Sequence, residues 1–312
     1  MNEFLKAILD GVYSVVGNYG WSIMLFTLLI RLLLLPLEVK SRKSMRKTQR
    51  LQPQLAALQK KYKNDKEKLN QKTTELYRRE HINPLSGCLP ILLSLPILFA
   101  MMGAMRLMAN EQIAGQVFTY LSGGEPQFAG WLWVKNIWMP DSPFATSVPN
   151  IDTILNVTRE NWEIWKTAFA GLKPEALAAL PSGIVFDFST AGAAKITVEA
   201  MVEHMRTLPA YLGMLGTVPG WTNINLFLIQ LSVYRNYNGF FLLPVLAAVT
   251  QFFTGLSTPQ PAAPEGQTGQ PGQGKFMKWF FPIFSLVICY NANAGFALYW
   301  VTANVIAAAQ NI

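Results

Sequence analysis

Five long apolar runs constrain this chain more than any other feature of its sequence. Trp21 to Leu37 is interrupted only by Ser22, Thr27 and Arg31, and Leu85 to Met105 only by a few Ser, Gly and Pro. Gly239 to Leu256, Phe276 to Tyr290 and Gly295 to Ala309 follow. A helix needs ~20 residues, with a range of ~17–25, to cross the hydrocarbon core of a bilayer. The runs therefore read as five spans of an all-α integral membrane protein, the fourth of them short. Composition agrees, with 51% hydrophobic and 14% charged residues where soluble domains carry about 25% charge. The competing reading is an unusually apolar soluble bundle.

The charge is concentrated in one place. Residues 38 to 80 hold 14 Lys or Arg and five acidic residues, which leaves the rest of the chain near neutral against a total of +8. Basic segments next to spans stay in the cytoplasm. The topology that follows has an external N-terminus, a cytoplasmic segment at 38–84, an external region at 107–237, a cytoplasmic loop at 257–275, a tight external turn at 291–294 and a cytoplasmic C-terminus. The spans are then 21–37, 85–106, 238–256, 276–290 and 294–312. Lys275 and Lys278 flank the second cytoplasmic loop, as this orientation requires.

Residues 1 to 20 carry Glu3, Lys6 and Asp10 and do not read as a signal peptide. Phe4, Leu5, Ile8, Leu9, Val12, Val15 and Val16 recur at helical spacing, which predicts an amphipathic helix in the interface. In the basic segment Leu51, Leu55, Leu58 and Tyr62 form one stripe, Leu69 and Leu76 another, and Asn64-Asp65 marks a turn. A helical hairpin is expected there. Its positive charge suits either anionic lipid headgroups, at ~1 kcal/mol per cation, or an acidic partner such as ribosomal RNA, ribosomal protein or a nascent chain. The residues placed to make such contacts are Arg46, Lys47, Arg50, Lys60, Lys61 and Lys63. Residues 257 to 275, rich in Pro, Gly and Gln, read as a flexible tether. In the external region Trp162, Trp165, Phe169 and Leu172 read as one helix, and Val198, Met201, Val202, Met205 and Leu208 as another; Leu226 to Leu231 is too short to cross. A small helical cap is the expectation.

Enzymatic chemistry finds little support. His81 and His204 are far apart, Cys88 and Cys289 fall in predicted spans, and no metal spacing, phosphate loop or nucleophile elbow is present. No enzyme activity, cofactor or metal is expected. The polar residues inside the spans need another explanation, because a charge at the centre of a span costs ~2.5–3.5 kcal/mol on insertion scales. Arg31 lies roughly 9 Å from the cytoplasmic end of its span. Either it snorkels to the headgroups or it faces water inside the bundle. Thr27 one turn away, Thr250 and Gln251 in the third span, and Tyr299, Trp300 and Asn304 in the fifth are candidates to line such a wet groove. With no carboxylate inside the runs, Arg31 is expected to be an unpaired cation.

These residues resemble the YidC/Oxa/Alb membrane protein insertases. Residues 50 to 100 look like that family's cytoplasmic hairpin leading into its second core helix, with INPLSGCLP (82 to 90) the most specific piece. The family's first-helix arginine falls on Arg31, with Pro36 after it. WLWVKNIWMPDSP (131 to 143), FLLPVLAAVTQFF (241 to 253) and AGFALYWVTANVIAAAQ (294 to 310) resemble later segments. The resemblance implies five helices around a hydrophilic groove that opens to the cytoplasm and laterally to lipid. Such a groove receives the polar or acidic tail of a client and releases its hydrophobic segment without ATP. The implied partners are nascent membrane proteins, with the ribosome, the Sec translocon and anionic lipids as further contacts, and the implied state is a monomer in the bacterial inner membrane. The alternative is a transporter or channel in which Arg31 binds a small anion. Four departures stand out. Gly255 occupies the usual place of a family glutamine, with Gln251 one turn earlier; residues 144 to 237 have no counterpart in minimal members; the basic tail of many members is missing after the fifth span, either naturally or through truncation; and no lipoprotein-type cysteine precedes the first.

Overall fold

The computed structural model describes residues 2–62, 64–80, 89–226, 229–257 and 273–310. Lys63, His81, Cys88, most of INPLSGCLP and most of the 257–275 loop lie outside the described residues.

The amphipathic N-terminus forms α1 (Asn2–Val16), whose Leu5 and Leu9 are buried against the neighbouring helices. The chain reverses at Gly17, where φ of +73° suits a residue without Cβ. The Asn18 side chain then accepts from the Gly20 and Trp21 amides and starts α2 (Tyr19–Arg50). This helix runs without a break across the boundary expected at residue 37, so the start of the basic segment is a continuation of the first apolar helix. Leaving hydrocarbon gives a helix no reason to stop, since its hydrogen bonds are internal in either solvent. The hairpin proper is α3 (Gln52–Lys61) and α4 (Lys66–Arg79), closed over buried Leu51, Leu55 and Leu76.

The second apolar run shows the same behaviour. Helix α5 (Leu89–Leu121) has 33 residues, about 50 Å at 1.5 Å per residue, and continues well past the end expected at residue 106. Its first half packs in one core and its second half in another. α1 crosses it so closely at Gly103 that a Cβ there would collide with the Asn2 side chain. Lys6 reaches Glu111 of α5 at 3.3 Å and Asp10 of its own helix at 3.0 Å. Burial raises the Glu111 carboxyl above its ordinary range, with Lys6 opposing the shift.

Beyond α5 stand α6 (Ile151–Asn161), α7 (Glu163–Ala170), α8 (Pro174–Ala178), α9 (Ala191–Met205) and α10 (Pro209–Met214). Both helices expected here from periodicity are present, and α6 was not foreseen. The cap is not wholly helical. β1 (Ile224–Leu226) pairs antiparallel with β2 (Ile229–Leu231), Ile224 opposite Leu231. The sequences INL and IQL alternate apolar and polar residues with period two, which suits a strand pair and not a helix turn.

The chain closes with α11 (Leu242–Ser257), α12 (Gln273–Asn291) and α13 (Ala294–Ala309). α11 packs on both α12 and α13, and α13 also packs on α2. A buried polar joint fixes the start of α11. Asn238 Nδ2 donates to the carbonyls of Asn136 and Met139, while Asp141 accepts from the Leu243 amide at 2.7 Å, the Phe241 amide and the Trp133 indole. Among the described residues one helical stretch, Tyr19–Lys40, is long and apolar enough to cross a membrane, and Leu242–Leu256 and Ala294–Ala309 are shorter apolar helices.

Candidate functional site

Thr27, Arg31 and Glu38 are spaced by four and seven residues, so they share one face of α2. Arg31 is not an unpaired cation. Its Nη1 donates to Glu38 Oε1 at 2.9 Å, with the two side chains 22% and 15% exposed. The expectation failed because Glu38 lies just outside the apolar run, yet two helical turns bring it back onto the arginine's face. Two long side chains then close the ~10 Å of axial rise between them. Thr27 is also corrected. It is buried, and its hydroxyl donates to the Ile23 carbonyl at 2.6 Å. That back-bond along the helix satisfies the hydroxyl without water, so Thr27 does not extend a wet face toward the bilayer centre.

A second polar cluster forms between α11 and α13. Thr250 Oγ1 donates to the Leu246 carbonyl at 2.7 Å and accepts from Asn304 Nδ2 at 3.4 Å. The Thr254 hydroxyl reaches the Asn304 carbonyl at 3.1 Å. Thr250 and Asn304, both candidates for the groove lining, are thus in contact, while Thr254 carried no such expectation. Gln251 is half-buried beside them on α11. Tyr299 is buried and close enough to Arg31 to feel its charge. The Trp300 ring packs on Phe296 at 5.7 Å, and its buried indole N–H finds no acceptor among the described residues. A buried donor of this kind is costly to leave unmade, so the place is suited to a polar group from elsewhere.

A cavity of about 270 Å³ lies at the other end of α13, lined by Met102 and Arg106 of α5, Val287, Ile288 and Asn291 of α12, and Phe296. Arg106 pairs with Glu160 of α6 at 3.4 Å, and Glu160 also accepts from Asn110 at 2.9 Å. Arg106 stands at the expected end of a span and carried no signal beyond that.

Of the hairpin cations, Arg46, Lys47 and Arg50 are exposed on the last turns of α2, and Lys60 and Lys61 are exposed at the end of α3. They face outward, while the thin leucine seam faces inward. Lys63 lies outside the described residues.

Apolar helices that expose leucine and phenylalanine while burying a few paired polar groups define a helical membrane protein. The chain matches the family described as 60Kd inner membrane protein over residues 11–163 and 204–312, and it belongs to that family. Of the region with no expected counterpart, only residues 164–203 fall outside the match, a stretch that holds most of α7, all of α8 and most of α9. The chain is 51% identical over 150 residues to a "Membrane protein insertase YidC" of Fusobacterium nucleatum, covering 48% of this chain and 65% of that protein. It is 43% identical over 137 residues to a protein of the same name from Clostridium perfringens, covering 44% of this chain and 51% of that one. A third, from Treponema denticola, aligns with the whole chain at 25% identity over 37% of its own length. The chain thus spans less than two thirds of the length of these relatives.

Proposed function

We propose that the protein is a membrane protein insertase whose Arg31 receives the polar or acidic tail of a client from the cytoplasmic side. The observation that carries this reading is the half-buried Arg31–Glu38 pair, set on a helix that also carries an exposed leucine face. Leu25, Leu28, Leu29, Leu32 and Leu33 of α2 are exposed, as are Val245, Val249 and Phe253 of α11 and Trp279, Ile283 and Val287 of α12. Apolar surface of that extent calls for lipid. In this reading the early parts of α2 and α5, together with α11, α12 and α13, are the five crossings around a groove.

Helices α11 and α13 have 16 residues each, about 24 Å of rise against a hydrocarbon thickness of ~30 Å. The bilayer thins locally or the helices end at the headgroups. Either shortens the dry path for a client tail, whose polar groups find no hydrogen bonds in hydrocarbon. Arg31 then offers a carboxylate a charge-assisted partner partway in, and Thr250, Gln251, Tyr299, Trp300 and Asn304 offer neutral ones. The client's hydrophobic segment leaves sideways into lipid, without ATP. The exposed Arg46, Lys47, Arg50, Lys60 and Lys61 face anionic headgroups, the ribosome or the nascent chain, and the Sec translocon is a further partner. The N-terminus lies outside and the C-terminus in the cytoplasm of a bacterial inner membrane. A small-anion carrier is the weaker reading, since the relatives of this chain are named as membrane protein insertases.

The test is insertion into liposomes of a short single-span client with an acidic tail. Arg31→Ala is expected to lower insertion at least tenfold, the scale of losing a charge-assisted hydrogen bond to an ionised group. Equal insertion by wild type and variant sinks the charge mechanism, and uptake of small anions without insertion favours the carrier.

A further inference from the structure

Glu38 is the carboxylate nearest to the proposed client site, and it stands on the arginine itself. We propose that Glu38 is a resident counter-ion that sets which clients Arg31 accepts, an inference that rests on Arg31 as the receiving group. The geometry gives the reason. At 2.9 Å, and with both side chains mostly shielded from solvent, the guanidinium already has what a client's carboxylate would supply. Locally the pair carries no net charge, so it draws an approaching tail only weakly from a distance.

A guanidinium has five N–H donors on a planar fork. A client carboxylate therefore arrives in one of two ways. It takes the free edge of Arg31 and is repelled by Glu38 close by, or it displaces Glu38 from the guanidinium. Glu38 follows the last residue of the apolar run, and α2 continues from it as a helix bearing exposed Lys43, Arg46 and Lys47. Exchanging one carboxylate for another keeps the arginine paired throughout, whereas leaving a shielded charge without a partner is unfavourable. A neutral tail meets no such competition. Glu38 thus compresses the difference between acidic and neutral tails, and it gives the advantage to tails with several carboxylates, which rebind while Glu38 returns.

The experiment compares binding of two short tail peptides to the full chain in lipid nanodiscs, one bearing a single Asp and the other Asn at that place. The measured quantity is the ratio of their dissociation constants. Glu38→Gln is expected to raise the preference for the Asp peptide about tenfold, while Glu38→Asp, which keeps the charge, stays near wild type. Arg31→Ala is expected to abolish the preference. An unchanged or lower preference in Glu38→Gln overturns the proposal, as does loss of binding of both peptides, which makes the pair purely structural. A rise in Glu38→Asp equal to that in Glu38→Gln also overturns it. If Arg31→Ala keeps the wild-type preference, the underlying reading of Arg31 fails instead.

Discussion

Helix α5 belongs to two cores that both bury large aromatic side chains, the first of them much richer in alanine. Its first half contributes Ala100, Met101, Ala104, Met105, Met108 and Ala109 to a core shared with α1, α2, α11 and α13. Its second half contributes Ile113, Val117, Phe118, Tyr120 and Leu121 to the cap. The partners differ in the same way. α13 brings Ala294, Ala297 and Ala303 to the first core, while the cap buries Trp165, Tyr211 and Phe188. Phe118 alone meets Trp165, Phe169, Phe186 and Phe188 at ring distances of 5.9 to 6.3 Å. In water, large apolar side chains are driven inside. Against lipid that drive is missing, so helices associate through small residues that let backbones approach, and large side chains can point outward. Under the proposed span assignment, one helix changes its packing alphabet where its solvent changes.

The largest expected effect is therefore in the cap. Trp165 is fully buried and its indole donates to Thr158 at 2.9 Å, so Trp165→Ala should cost about 3–5 kcal/mol. Hydrogen exchange should show α6 to α9 opening while α11 to α13 keep their protection. Loss of protection in both regions would mean that the two cores form one cooperative unit, against the comparison. The reverse change belongs to the first core. Ala297 is fully buried on α13, and Ala297→Leu should cost about 1–3 kcal/mol by overpacking, read as a lower melting temperature in detergent. If that variant is tolerated as well as a matching Leu on the exposed Val305, close approach of small residues does not hold this core.

The sequence makes these cores legible to different depths. Period and apolarity located α7, α9 and every apolar run that became a helix, because burial on one face leaves a repeat. They could not mark where α2 and α5 end, since Lys40 and Arg106 interrupt the apolar run and not the backbone hydrogen bonding. The Arg31–Glu38 contact was hidden for a related reason. Glu38 was counted by its place after Leu37 when its position on the helix face decided the matter. Thr27 looked polar by residue type, but its hydroxyl is satisfied inside its own helix. The Asp141–Asn238 joint spans about a hundred residues of sequence and leaves no periodic trace.

The hairpin extends the comparison to a third setting, where among the described residues only Leu51, Leu55 and Leu76 are buried, so local backbone chemistry should matter more. Asp65 caps α4: its Oδ1 accepts from the Lys68 amide at 3.0 Å. That bond, reinforced by the Lys68 side chain, holds the Asp65 carboxyl below its usual 3.8. A carboxyl lowered by folding stabilises the folded form above its unfolded value, and the contribution is lost as pH falls through the lowered one. The first turn of α4 should therefore be fully protected at neutral pH and begin to fray only below about pH 3.8. Asp65→Asn should keep the cap and remove this pH dependence, whereas Asp65→Ala should expose the Lys68 amide to exchange at every pH. The effect is small and local because the side chain is solvent-exposed, and it should leave the melting of both larger cores unchanged. Equal protection of the Lys68 amide in wild type and Asp65→Ala at neutral pH would show that the leucine seam alone orders the hairpin, which would align it with the cap.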